Sequence, residues 1–245
     1  MTDRPRPTAD SLLAFIGEQH RRLERGPFEV APDRAREFGL IYGPCAQAIR
    51  YAAAYATLRP VGFGREGVTV ARQALEHAVT AHWAHAMPDG LDRLEGEYKK
   101  SIRTFSRELA AYAGNDGLVQ AIDAAAASLG PVTPPLPRIT DRFLDLGADS
   151  LAFVYRQQSQ LVHVTSSSAS GYITWVEDGP HDIRVDAVDH YEQNTLYIAA
   201  TGAMLGAWLI EQLISDSGNG VARLEEQADY LQLVYALEPK RAADA

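Results

Sequence analysis

Leu196-Tyr-Ile-Ala-Ala-Thr-Gly-Ala-Met-Leu-Gly-Ala-Trp-Leu-Ile210 is the most apolar stretch of the chain, and Glu211 closes it. It falls short of the ~20 apolar residues that span a bilayer. It therefore reads as a central buried helix of an ordinary globular protein, within a longer helix from His190 to Ser215. Gly202-x-x-x-Gly206 removes side-chain bulk from this helix, so a neighbouring helix can approach it closely. A last helix is expected over Val221 to Leu237, followed by a charged tail.

Upstream, the same periodicity recurs. Ser11 to Arg25 places Leu12, Leu13, Phe15, Ile16 and Leu23 on an amphipathic pattern, with Arg21, Arg22 and Arg25 near its C-terminal end, where cations suit the helix dipole. Pro27 and Pro32 break it. Asp33 is placed to cap a second helix running to about Leu58. A third is expected from about Gly64 to Ala86, and Pro88-Asp-Gly90 turns the chain. A charged helix follows from Leu91 to Ala113, then Gly114-Asn-Asp-Gly117 and a short Ala-rich helix from Leu118 to Leu129. Four prolines between Gly130 and Pro137 make an extended connector. Helix resumes between Asp141 and His163, with a break near Gly147. Thr165 to Val188 is rich in Ser and Gly at first and then fits a small hairpin or an irregular loop. The expected fold is all-α: an irregular multi-helix bundle with at most one small β-hairpin. One domain is expected over residues 8–238, between disordered tails at 1–7 and 239–245.

The 245 residues include 46% apolar and 22% charged side chains, which is globular rather than disordered composition. The net charge of −9 disfavours broad binding to phosphate backbones, though a local basic pocket stays open. The single cysteine, Cys45, allows no intramolecular disulfide and is expected to pack as a small hydrophobe. Met1-Thr-Asp-Arg-Pro-Arg-Pro lacks the apolar segment of a secretory signal, so the expectation is a cytoplasmic protein with no membrane attachment.

Arg156, Ser159 and His163 stand at i, i+3 and i+7, so one helix face would carry a guanidinium, a hydroxyl and an imidazole. Such a stripe can bind an anion, do acid–base work, or bond neighbouring helices. Arg72 and Glu76 stand at i and i+4, either as a surface bridge or as a buried pair that needs partners. All four charged residues are expected in one cluster, because a charge facing a bundle interior needs a counterpart. His82-x-x-His85 lacks visible further ligands, so neither a metal nor another cofactor is expected. Phe143-Leu-Asp-Leu-Gly-Ala-Asp149-Ser150-Leu151 resembles the phosphopantetheine attachment site of acyl and peptidyl carrier domains. Downstream the likeness ends, and Ser150 is expected to start a helix unmodified.

The order Arg72-x-x-x-Glu76, Trp83, a charged helix, then Tyr155-Arg-x-x-Ser159-x-x-x-His163 resembles a family of bacterial proteins catalogued as domain of unknown function 5677. The likeness covers roughly Gly64 to Ser170 and implies no established activity. A more distant resemblance is to HEPN domains, helical bundles of toxins and antiphage defence systems. Many are metal-independent ribonucleases with an Arg-x4-6-His motif, a pattern that Arg156 to His163 and Arg72 to His77 both fit. That resemblance implies a homodimer acting on RNA or a nucleotide, with Arg156 stabilising phosphorane charge and His163 assisting attack by the 2′-hydroxyl. The other class left open is a non-catalytic scaffold or small-anion-binding module.

Overall fold

The computed structural model describes residues 6–127, 134–174, 182–183, 191–215 and 218–240. Within them run α1 (Ala9–Glu24), α2 (Ala35–Leu58), α3 (Val68–Ala86), α4 (Gly90–Tyr112), α5 (Asp116–Ala127), α6 (Ile139–Asp145), α7 (Asp149–Val162) and α8 (Ser166–Ser170). Two short strands, β1 (Ile173–Thr174) and β2 (Asp182–Ile183), precede α9 (Glu192–Leu213) and α10 (Gly220–Leu231). The fold is an all-α multi-helix bundle. The strands pair antiparallel, with Ile173 opposite Ile183.

The apolar stretch around Gly202 is the axle of the bundle. α9 lies in the groove between α2 and α3, with α1 and α10 against its other sides. Two apolar clusters share it. Ala199, Met204 and Leu209 pack with Phe15 and Ile16 of α1, Ile41 and Ile49 of α2 and Leu224 of α10. Ile198 and Leu205 pack with Leu75, Val79 and Trp83 of α3, Phe143 of α6 and Tyr155 of α7. α9 is the one helix among the described residues long and apolar enough to cross a membrane, and 83% of its apolar window is buried inside the protein.

The two glycines serve different neighbours. A Cβ on Gly202 would lie 2.7 Å from the Ala74 carbonyl carbon in α3, whereas one on Gly206 would lie 2.8 Å from the Cys45 carbonyl oxygen in α2. Both obstacles are backbone, which cannot swing aside. His82 of α3 then fastens the pair of helices. Its Nε2 lies 3.0 Å from the Leu205 carbonyl oxygen, which assigns that nitrogen the proton, and its ring stacks on Trp208 at 5.8 Å. Burial pushes His82 down to about 4; the Leu205 bond opposes this and the charge of His85 adds to it. Cys45 is fully buried as a small hydrophobe, and burial pushes its thiol up.

Several boundaries differ from expectation for local reasons. Asp33 sits in a 3₁₀ turn over Pro32–Arg34 and makes no cap to α2. α3 begins at Val68 rather than Gly64, because Gly67 first packs under Tyr55, where a Cβ would meet the ring at 2.8 Å. The break near Gly147 is a turn at φ +61° between α6 and α7. α10 stops at Leu231, not Leu237, because Gln232 takes a left-handed conformation at φ 54°. The chain beyond it docks: Tyr197 donates to the Gln232 carbonyl at 3.0 Å, and the Lys240 amide donates to the Asp145 carbonyl at 2.8 Å. Pro239 and Lys240 of the expected C-terminal tail are thus described, whereas residues 241–245 lie outside the described residues, as do 1–5 of the N-terminal tail. The expected loop after Thr165 opens with α8, started by a reciprocal Thr165–Ser168 cap. Of the expected connector, residues 130–133 lie outside the described residues, and of the Thr165 to Val188 segment, 175–181 and 184–188 do.

Candidate functional site

α3 presents Arg72, Glu76 and Thr80 at i, i+4 and i+8, which is one face of a helix. α7 faces it with Tyr155 and Ser159, again one turn apart. The Arg72 guanidinium donates through Nη1 to the Tyr155 hydroxyl and to Ser159 Oγ, both at 3.1 Å. The same guanidinium lies 5.0 Å over the Tyr155 ring. Tyr155 in turn donates to Glu76 Oε2 at 2.9 Å. Ser159 returns its own proton to the Tyr155 carbonyl at 2.9 Å. Arg142 of α6 closes the group: its Nε donates to the Pro137 carbonyl at 2.9 Å, and its Nη1 to Thr80 Oγ1.

The electrostatics are those of a bracket between α3, α6 and α7. Burial pushes the Tyr155 phenol up to about 12; the Glu76 carboxylate adds to this, and Arg72 and Arg142 oppose it. Tyr155 thus stays protonated and keeps its bond to Glu76. Desolvation lowers the Arg142 pKa, offset in part by the Glu76 charge. Hydroxyls and a carbonyl take up several of the guanidinium donors, while the buried Arg72 Nε has no hydrogen-bond partner among the described residues.

Of the residues expected in one cluster, Arg72 and Glu76 lie together, and Ser159 of the α7 stripe joins them. Arg156 and His163 do not join them. Both are exposed, and among the described residues neither side chain makes a hydrogen bond or an ion pair. The reason is helical phase. The buried side of α7 is Leu151, Ala152, Tyr155 and Gln158. At roughly 100° per residue, Ser159 lies at its edge while Arg156 falls about 100° from Tyr155. His163 is the C-cap residue with ψ 161°, so it has already left the helical path. The expected four-residue cluster is corrected accordingly: Tyr155 and Arg142 take the places assigned to Arg156 and His163. The signal for Tyr155 was its i, i+4 spacing to Ser159, in step with Arg72 and Glu76. Arg142 had none, because its position depends on how α6 turns into α7.

The α3 histidines are spent locally. His77 Nδ1 sits 3.0 Å from the Gln73 carbonyl and its ring meets Tyr51 edge-on at 5.3 Å, away from Arg72. His85 Nδ1 lies 2.6 Å from Glu37 Oε1. Among the described residues no three His, Cys, Asp or Glu side chains group to hold a metal. Within the carrier-like motif, Phe143 is buried, and Asp145 accepts the Trp83 indole N–H at 2.8 Å. Ser150 is exposed in the first turn of α7. No protein-family model, curated protein or solved structure matches this chain.

Proposed function

We propose that this chain is a non-catalytic helical scaffold that pairs with a second copy of itself through α4. The observation that carries this reading is an apolar ladder left uncovered. Along α4, Ile102 is 68% exposed, Phe105 65%, Leu109 54% and Tyr112 92%, with Tyr98 at the inner end. The α4–α5 hairpin buries Ala110 but not this face. A ladder of large apolar side chains in water is costly, at roughly 25 cal/mol per Å².

The spacing of the ladder makes it self-complementary. An antiparallel partner centred on Phe105 sets Phe105 against its own counterpart, Ile102 near Leu109 and Tyr98 near Tyr112. That is the isologous geometry of a twofold dimer. The five side chains offer roughly 600 Å² per copy, approaching the ~800 Å² per partner of a standard interface once a polar rim is added. On the catalytic alternative, a HEPN-like ribonuclease would need Arg156 and His163 to act together. The exposure of Arg156 on the outer face of α7 and of His163 at its C-cap, and the use of Arg72 inside the bracket, favour the scaffold. The resemblance to domain of unknown function 5677 brings no activity and adds no chemistry to either reading.

Light scattering on the full chain should give twice the monomer mass, and Ile102→Glu/Phe105→Glu should halve it with an unchanged circular dichroism spectrum. A monomeric wild type, or a dimer indifferent to both charges, sinks the proposal. Total RNA incubated with wild type and with His163→Ala should stay equally intact. Cleavage by wild type alone would favour the HEPN-like reading.

A further inference from the structure

We propose a second site, for a small phosphate-type oxyanion, between the end of α1 and the start of α10. Arg21, Arg22, Arg25 and Arg223, with one carboxylate, Glu18, line a cavity of about 190 Å³. On α1 these residues stand at i, i+3, i+4 and i+7, so a single face supplies them. Four guanidiniums concentrated in one cavity repel one another. In a chain of net charge −9 such a concentration is out of keeping with the rest of the surface.

The counter-charges present cover only part of this. Arg22 is bound by Glu211. Arg223 reaches Glu18 at 3.9 Å, and Glu18 also accepts from Gln227 at 3.1 Å. The Arg21 and Arg25 guanidiniums have no hydrogen-bonding or ionic partner among the described residues. Among the described residues, two carboxylates thus bond to these four cations, leaving a net charge of +2 for a ligand to neutralise.

One of the four is fixed from behind. Glu211 is 2% exposed, and its Oε2 has no hydrogen-bond partner. It is wedged against the first turn of α10, where a Cβ on Gly220 would overlap that oxygen. Glycine at 220 is therefore required for this carboxylate to sit there. Held this way, Arg22 presents a guanidinium edge whose orientation is set before any ligand arrives, which cuts the ordering cost of binding. Guanidinium forks match the oxygens of phosphate in pairs. The cavity has room for one or two phosphate groups. This site is separate from the α4 ladder, and neither requires the other.

Isothermal titration of the full chain with inorganic pyrophosphate tests the site. Wild type should bind, and Arg21→Ala/Arg25→Ala should bind about tenfold or more weakly, the loss expected for two charge-assisted pairs. Both arginines are exposed at a helix end, so the fold should survive, and circular dichroism checks this. Arg156→Ala, an unpartnered arginine on α7, should bind like wild type. No heat with wild type, or equal weakening by Arg156→Ala, overturns the proposal. So does a double variant that binds as well as wild type.

Discussion

α9 and α4 are helices of nearly equal length with opposite fates for their apolar residues. In α9 nearly every side is apolar and nearly every side is covered. Its two glycines let the backbones of α2 and α3 come within van der Waals reach, and the neighbours complete the cover. In α4 the apolar residues form one narrow ladder, and its outer half is exposed. Apolar content alone therefore does not tell whether a face is core. What decides is whether the chain supplies something to lie against it. For α9 the chain does; for the outer half of α4 the covering surface is proposed to be a second copy.

The contrast breaks most sharply at Gly202. Gly202→Leu drives a side chain into the Ala74 backbone, so α3 and α9 must separate. The expected outcome is loss of cooperative unfolding, or recovery only as insoluble protein. Even Gly202→Ala should lower stability by about 1–3 kcal/mol, as overpacked cores do. A urea midpoint within error of wild type for the alanine variant would mean that the two helices are not in close apposition.

A second, smaller effect belongs to His82 and depends on pH. Its folded pKa lies at about 4, below the ordinary value of 6.5. As pH falls between these values, the unfolded chain takes up a proton that the folded chain refuses. Stability should therefore decline with falling pH, by about 1.4 kcal/mol per unit at most. The whole loss is on the order of 3 kcal/mol. His82→Gln keeps a donor for the Leu205 carbonyl and removes the titration. Its stability should decline less steeply than that of wild type over this window, measured by urea unfolding at stepped pH. Parallel profiles would contradict the burial of His82.

The bracket beside α9 should respond at the next level. Arg72→Ala leaves the Tyr155 and Ser159 hydroxyls short of a donor and should cost about 1–2 kcal/mol. Arg156→Ala and His163→Ala should stay within about 0.5 kcal/mol of wild type, as exposed sites do. If all three cost the same, the division of α7 into a bonded edge and a free face is wrong. The smallest change in the folding of the single chain is expected on α4. Phe105→Glu should leave the unfolding of the dilute monomer within about 0.5 kcal/mol of wild type, while abolishing pairing. A large loss in the monomer would show that this face is already covered.

The sequence by itself determined the helical class, the number and rough extent of the long helices, and the burial of α9. Those follow from local periodicity, proline and glycine breaks, and an apolar run with no polar face. It also indicated that Arg72 and Glu76 face inward and meet residues of α7, because a charge on an inward face needs a partner. Only the tertiary structure decided which α7 residues meet them. Arg156 and His163 share a nominal stripe with Ser159, but the side that α7 buries is set by how α6 turns at Gly147. That choice brings Tyr155 inward and leaves Arg156 outside. The four-arginine cavity was equally hidden. Arg21, Arg22 and Arg25 are visible as a basic helix end, whereas Arg223 joins them from two hundred residues away. Its arrival depends on Glu211 and Gly220 fitting against each other, a contact between distant segments that no local pattern records.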